Sequence, residues 1–232
     1  MNLKQFHRNE TIYIFIKYIY RYVKMGYVYL FTVGFEEKYI IRSLVDRGLR
    51  DIDLIILVSN VNPPEKTLKA IDMVRLTMKN LGYPQPMVHY IDISNVYKAI
   101  GTMKQLLKEK CVNRKLIINI SGGMKILSYI IISSVIQLDL KSEVEVLRED
   151  MEVRYVFPIE VFKGYDIDFT DITILNIVNR LQNPRITDIA IKSGLSKATV
   201  SRRIVKLEEL GLVKKENGII KLMEPAYMYI SA

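Results

Sequence analysis

Between Tyr27 and Phe157 the chain alternates short apolar runs with longer segments whose apolar residues recur at helical spacing. Tyr27–Val33, Ile52–Ser59, Met87–Ile93 and Lys115–Ile120 are nearly continuous apolar runs, the mark of parallel strands covered on both faces. Glu36–Leu49 carries Ile40, Ile41, Leu44 and Val45 on one helical face and closes at Gly48. Pro63-Pro64 opens a second helix with Leu68, Ile71, Val74, Met78 and Leu81, ended by Gly82 and Pro84. Asn95–Glu109 is a third. The fourth, Ile126–Leu138, has Leu127, Ile131, Val135 and Leu138 on one side and Ile132 and Ile136 roughly opposite. A helix apolar on two sides is buried on two sides, which predicts a subunit interface and a homodimer. Glu143–Leu147 and Val153–Phe157 are two further strands joined by the acidic turn Glu149-Asp150. The order predicts an α/β class, a Rossmann-like, doubly wound, mostly parallel sheet.

After Phe162 the texture changes. Lys163-Gly164-Tyr165-Asp166 is a polar break, followed by a helix capped at Thr170 or Asp171 with Ile174, Ile177, Val178 and Leu181 inside. Asn183-Pro184 ends it, Thr187–Lys192 is a short helix, and Gly194 makes the turn into a helix from Ser196 to Leu210. Ser196 stands at the N-cap, with Leu195 and Val200 at the spacing of a hydrophobic staple. Val200, Ile204, Leu207 and Leu210 face the core; Ala198, Thr199, Arg202 and Lys206 face away, with Arg203 at the flank. Gly211 closes the helix, and residues 212–221 form a hairpin turning at Asn217-Gly218. Helix, helix, turn, recognition helix and basic hairpin read as a winged helix-turn-helix.

Composition narrows the chemistry. With 232 residues, the chain is long enough for one large domain and a small one. The formal charge of +9 suits a polyanionic partner. Between Lys192 and Lys206 there are five basic residues and no acidic one, a face fit for DNA phosphates and base edges in the major groove. The candidate DNA contacts are Ser196, Lys197, Thr199, Ser201, Arg202, Arg203 and Lys206, with Lys214 and Lys215 on the wing. Cys111 is the single cysteine and reads as a small buried hydrophobe; His7 and His89 are the only histidines. No catalytic residue, metal site or resident cofactor is expected from that set. His89, inside a strand, is expected to be a satisfied structural residue. Residues 1–24 hold an apolar, aromatic stretch interrupted by Lys17, too short for a membrane helix and without a leader cleavage site. They read as an extension of unassigned role, and the chain as cytoplasmic.

The stretch with the most specific chemistry is Asn119-Ile120-Ser121-Gly122-Gly123-Met124-Lys125, between the fourth strand and the fourth helix. Two glycines let backbone N–H groups converge on a ligand, the helix N-terminus adds about half a positive charge, and Lys125 adds a full one. The expected guest is an anion, a phosphate above all. The plain alternative is a turn in which the glycines only relieve backbone strain. Ligands of open α/β sheets bind beyond the carboxyl ends of the strands, where Thr32-Val33-Gly34-Phe35, Ser59-Asn60-Val61-Asn62 and Asp92-Ile93-Ser94 also gather. Gly-x-Gly-x-x-Gly and the P-loop pattern are absent.

Thr32-Val33-Gly34-Phe35, with Arg42 in the following helix, and the Asn119–Lys125 turn resemble the two signature motifs of CARF domains, the Rossmann-like sensor modules of CRISPR-associated proteins. With a C-terminal winged helix resembling the MarR type, residues 25–232 are similar to archaeal CRISPR-associated transcriptional regulators. The resemblance implies a CARF domain over 25–162, a linker over 163–169 and a DNA-binding winged helix over 170–232. It implies a homodimer whose sensor domains share one pocket for a cyclic oligoadenylate, cyclic tetra-adenylate foremost. Thr32, Gly34 and Phe35 would line that pocket, and Ser121, Gly122, Gly123, Met124 and Lys125 would hold phosphates and ribose edges. Asn60 and Asn119 join them by position on the rim. Two-fold symmetry would make the operator in double-stranded DNA pseudo-palindromic. Two other readings compete: a protein that also slowly cleaves its ring, and a regulator of another nucleotide or anionic metabolite.

Overall fold

The computed structural model describes residues 26–48, 52–111 and 114–230; the extension expected over 1–24 lies outside them. The chain divides into two compact units, 1–159 and 160–232.

In the first unit, β1 (Tyr27–Thr32), β2 (Ile52–Asn60), β3 (Met87–Ile91), β4 (Lys115–Asn119), β5 (Ser142–Leu147) and β6 (Arg154–Pro158) form one sheet in the order β3-β2-β1-β4-β5-β6. All pairs are parallel except β5–β6. Strand alternation sends Val28 and Leu30 to one core, beneath α3 (Val96–Lys110) and α4 (Lys125–Gln137). It sends Tyr29 and Phe31 to the other, beneath α1 (Lys38–Arg47) and α2 (Glu65–Asn80). The result is the expected layered α/β sheet.

Two helical faces differ from expectation. On α2 the buried stripe is Thr67, Ala70, Ile71, Val74 and Met78, while Leu68 and Leu81 are exposed. Small Thr67 and Ala70 allow α2 to lie close on the sheet, and Leu68 falls one residue off that line. On α1, Val45 is exposed and Ser43 buried instead, because Ser43 meets a buried polar group described below. In α4 the two-sided apolar pattern has an origin within the chain. Ser134 Oγ donates to Ile100 O of α3 at 3.3 Å, Lys104 of α3 reaches Gln137 at 3.1 Å, and Ile132 and Ile136 pack into the same core as Leu127.

The second unit holds α5 (Glu160–Lys163), α6 (Phe169–Leu181), α7 (Ile186–Ser193), α8 (Lys197–Glu209), the hairpin β7 (Val213–Glu216) and β8 (Ile219–Leu222), and a 3-10 turn, Glu224–Met228. Helix α6 starts earlier than the sequence suggests. Asp168 caps it by accepting the Asp171 N–H at 3.0 Å, and Asp171 returns the bond to Asp168 N at 3.2 Å. This acid-to-acid capping box replaces the expected cap at Thr170 or Asp171. The hairpin turns at Asn217 and Gly218, both with positive φ (52° and 79°), as a tight two-residue loop requires. Leu175, Ile189, Val200, Ile204, Leu212 and Ile220 form the centre of its core.

Candidate functional site

Sheet growth reverses between β1 and β4, and a cavity of about 470 Å³ opens there, beyond the carboxyl ends of β1, β2 and β4. Val33, Gly34 and Phe35 line it from β1; Ser59 and Asn60 from β2; Pro63, Pro64 and Thr67 from the start of α2; and Ser121, Gly122, Gly123 and Met124 from the turn before α4. Glu36, Tyr39 and Leu127 complete the wall.

The glycines are there because two loops touch. A Cβ on Gly34 would lie 2.6 Å from Gly123 N. A Cβ on Gly123 would lie 2.9 Å from Thr32 Cβ, and its φ of +79° disfavours any L side chain. Thr32 Oγ1 donates to Gly122 O and fastens the two loops together. Close packing therefore explains the glycines more fully than relief of strain alone. Helix α4 then follows Met124, its N-cap residue, with no side-chain cap and no acidic residue in its first turn, leaving N–H donors at its positive end for an anion.

Behind the turn lies a buried polar cluster. Glu145, with no exposed surface, accepts from Tyr29 Oη at 2.7 Å, Asn119 Nδ2 at 2.8 Å and Arg47 Nε at 2.7 Å. Asn119 Nδ2 also reaches Ser43 Oγ at 2.7 Å, and Asn119 Oδ1 accepts the Ser121 N–H at 3.0 Å. Ser121 Oγ in turn accepts the Leu147 N–H at 2.8 Å. Burial pushes the Glu145 carboxyl up, but donors from Ser43, Tyr29, Arg47 and Asn119 outweigh it and hold the group below the usual carboxylate range. Burial and the Glu145 charge together push the Tyr29 phenol well up, so it stays a donor.

Of the rim residues expected from sequence, Gly34, Phe35, Asn60, Ser121, Gly122, Gly123 and Met124 come together around the cavity. Thr32 and Asn119 do not line it. Both are buried and their side chains are engaged, Thr32 on the glycine turn and Asn119 between Glu145 and Ser121. Lys125 is exposed at the first position of α4, outside the cavity wall. Sequence reasoning passed over Glu36, Tyr39, Pro63, Pro64 and Thr67. Their signal was the position of the first two at the β1–α1 junction and of the rest at the α2 N-terminus. His89 is not satisfied as expected: its Nε2 is buried without a hydrogen-bond partner among the described residues, and burial lowers its basicity. Cys111 is buried as expected, its thiol pushed up to about 11 by burial.

In the second unit, α8 is capped as the sequence indicates. Ser196 Oγ accepts the Thr199 N–H at 3.1 Å and lies 3.0 Å from Thr199 Oγ1, so both hydroxyls serve the cap. Lys197 and Arg202 are exposed and Ser201 is half-buried. Arg203 and Lys206 are turned inward to α6: Arg203 Nη1 binds Asp168 and lies 3.2 Å from Asp171, and Lys206 Nζ lies 2.9 Å from Asp171. The acid-free run between Lys192 and Lys206 thus meets acids supplied by another helix. On the wing, Lys214 and Lys215 are exposed; Lys214 pairs with Glu216, which Lys214 and Lys221 hold down at about 2. Among the described residues no helix is long and apolar enough to cross a membrane, and no cluster of potential metal ligands occurs.

Comparison with known proteins finds a family model that matches within each unit. Residues 27–158 match the Csa3 CRISPR-associated Rossmann-like domain, and residues 172–217 match the IclR helix-turn-helix domain rather than the MarR type. The Csa3 protein of Saccharolobus solfataricus, named as CRISPR locus-related and as a candidate DNA-binding protein, is 22% identical over 191 residues, covering 81% of this chain and 80% of its own. Two solved structures are similar at lower scores. One is VC1899 from Vibrio cholerae, at a TM-score of 0.41 and 12% identity. The other is Can2 from Sulfobacillus thermosulfidooxidans in complex with cyclic tetra-adenylate, at 0.44 and 10%. Each comparison covers 88% of this chain and 63% of the other, so the chain spans under two thirds of either protein. At these scores neither bears on the site.

Proposed function

This chain belongs to the Csa3 family of CRISPR-associated Rossmann-like domains, and on that footing we propose that two copies bind one cyclic oligoadenylate, cyclic tetra-adenylate foremost, and thereby adjust the grip of their helix-turn-helix units on DNA. The observation that carries the reading is the cavity at the β1/β4 reversal, with a glycine turn and an uncapped helix N-terminus in its wall. Those donors suit a phosphodiester. The cavity, about 470 Å³, falls within the range of a single small-molecule site, roughly 300–1,000 Å³. A ring of four nucleotides is larger than such a site, which supports a second copy supplying the rest. That volume argument, with the family resemblance, supports the dimer; the two-sided pattern of α4 no longer does.

Ser121 Oγ accepts the Leu147 N–H and Lys125 stands outside the wall, which favours binding over ring cleavage. DNA binding is supported by the helix-turn-helix match and by the exposed Lys197 and Arg202. A ligand changes DNA affinity only by its own difference in affinity between the two arrangements.

Calorimetry with cyclic tetra-adenylate is expected to give one ring per two chains. Retardation of a DNA fragment from the protein's own upstream region is expected to change when ring is added. One ring per chain, or no heat with any oligoadenylate ring, overturns the reading.

A further inference from the structure

The cavity has two chemically different halves. One is the glycine turn and α4 N-terminus, built for negative charge. The other, formed by Ser59, Asn60, Pro63, Pro64 and Thr67, carries no charged side chain. Within it, Asn60 is singular. Its backbone continues β2 beside Ile91 of β3, so the residue is firmly placed. Its side-chain amide has no partner among the described residues, and Oδ1 is shielded from solvent without a donor. A buried unpaired acceptor is a standing cost that a native protein removes with a water or a ligand. No hydrogen bond holds the side chain, so rotation about χ1 and χ2 can turn the amide edge, with Oδ1 and Nδ2 side by side, toward the cavity. Asn119, by contrast, has both amide ends engaged.

We propose that Asn60 is the base-reading residue of this site: it recognises adenine by accepting from the exocyclic N6 amine through Oδ1 and donating from Nδ2 to the neighbouring ring nitrogen. Adenine offers a donor beside an acceptor, which is what a carboxamide complements in two bonds. The Pro63 and Pro64 rings and the exposed Phe35 provide apolar surface for the base. The phosphate half then anchors any phosphodiester ring, and the Asn60 half decides which base that ring carries. This inference rests on the function proposed above and names its source of base specificity.

The test compares two rings in calorimetry with the full chain: cyclic tetra-adenylate, and the same ring built from purine riboside, which lacks the N6 amine. The unaltered protein is expected to prefer the adenine ring roughly tenfold, the worth of a hydrogen bond whose buried partner is otherwise unpaired. Asn60→Ala is expected to bind both rings equally, with an unfolding midpoint that does not fall, because the amide holds nothing in the free protein. Asn60→Asp keeps the volume but sets a carboxylate against the ring nitrogen, and is expected to bind the adenine ring more weakly than Asn60→Ala. A preference that survives in Asn60→Ala, or no preference in the unaltered protein, overturns the role of Asn60 and leaves ring binding standing. Failure of the unaltered protein to bind either ring overturns both.

Discussion

Among the described residues each unit keeps one fully buried carboxylate behind its candidate working face: Glu145 behind the glycine turn and Asp171 behind the recognition helix. Both take residues that a reading of the surface would have counted as ligand contacts. Glu145 takes Asn119, and Asp171 takes Arg203 and Lys206. The consequences differ. The glycine turn loses an amide but no charge, since the cation meeting Glu145 is Arg47, on α1 and outside the cavity wall. Its attraction for anions comes from backbone donors and a helix terminus, which no neighbouring acid can pair off completely. The recognition helix attracts anions through side chains, and two of its cations are drawn to α6. A face built from backbone is fixed by close approach; a face built from side chains is set by whatever packs beneath it.

The strongest way to break that comparison is to disturb the backbone contact. Gly123→Ala forces a side chain into a left-handed conformation and against Thr32, at a cost of about 1–3 kcal/mol in stability. Because the turn itself is displaced, ring affinity is expected to fall roughly hundredfold, about 2.7 kcal/mol. Gly101→Ala, in the interior of α3 with nothing within 4 Å of the added Cβ, is the matched control. It is expected to gain about 0.5–1 kcal/mol and leave ring binding alone. Calorimetry and denaturant unfolding of both variants decide it; a Gly123→Ala protein that binds like the original means the turn does not hold the ligand.

How much of this the sequence discloses follows the same division. The sheet, its helices and the glycine turn are local: apolar runs, caps and paired glycines sit together in the chain, and the architecture agrees with them. The Ser196-capped start of α8 and the Asn217-Gly218 hairpin are legible for the same reason. Thr32 and Asn119 look like rim residues because they end strands, and only the fold reveals that one clasps Gly122 and the other answers to Glu145, 26 positions on. Arg203 and Lys206 lie 35 positions from Asp168 and Asp171 respectively, so counting charge along α8 overstates its free face. The α2 stripe misleads by one residue because Leu68 looks like the better core residue than Thr67, and close packing prefers the smaller one.

That overstatement can be measured. Arg202→Ala is expected to weaken DNA binding roughly tenfold, as loss of one charge-assisted contact should, about 1–3 kcal/mol if a base is read. Its unfolding midpoint should not move. Arg203→Ala is expected to do the reverse: a lower midpoint, because Asp168 and Asp171 lose a partner, and a smaller effect on DNA. Fluorescence anisotropy across a salt series separates them further. If Arg202 holds a phosphate, its removal makes the salt dependence shallower, and the loss is uniform across sequences. Equal losses of DNA affinity in the two variants would mean that the ion pairs to α6 open on the duplex and that the buried acid does not govern the face.

The smallest expected effect concerns the other carboxylate. In the fold, Glu145 is held below its ordinary value of 4.5 despite burial, because donors surround it. Below 4.5 the unfolded chain therefore takes up a proton before the folded protein does, and stability falls as the pH drops through that value toward the folded one. Above it, the contribution is fully present. Glu145→Gln cannot ionise, so its stability is expected to vary less steeply with pH on the acid side, by at most about one proton or roughly 1.4 kcal/mol per pH unit. Denaturant unfolding of both proteins between about pH 3 and 7 reads the difference and cancels the acid dependence that Asp168 and Glu216 add to each. A stability that instead falls, relative to Glu145→Gln, as the pH rises above 4.5 would mean that Glu145 is protonated in the fold. Asn119 would then be held by a neutral acid, and the support of the glycine turn would owe nothing to charge.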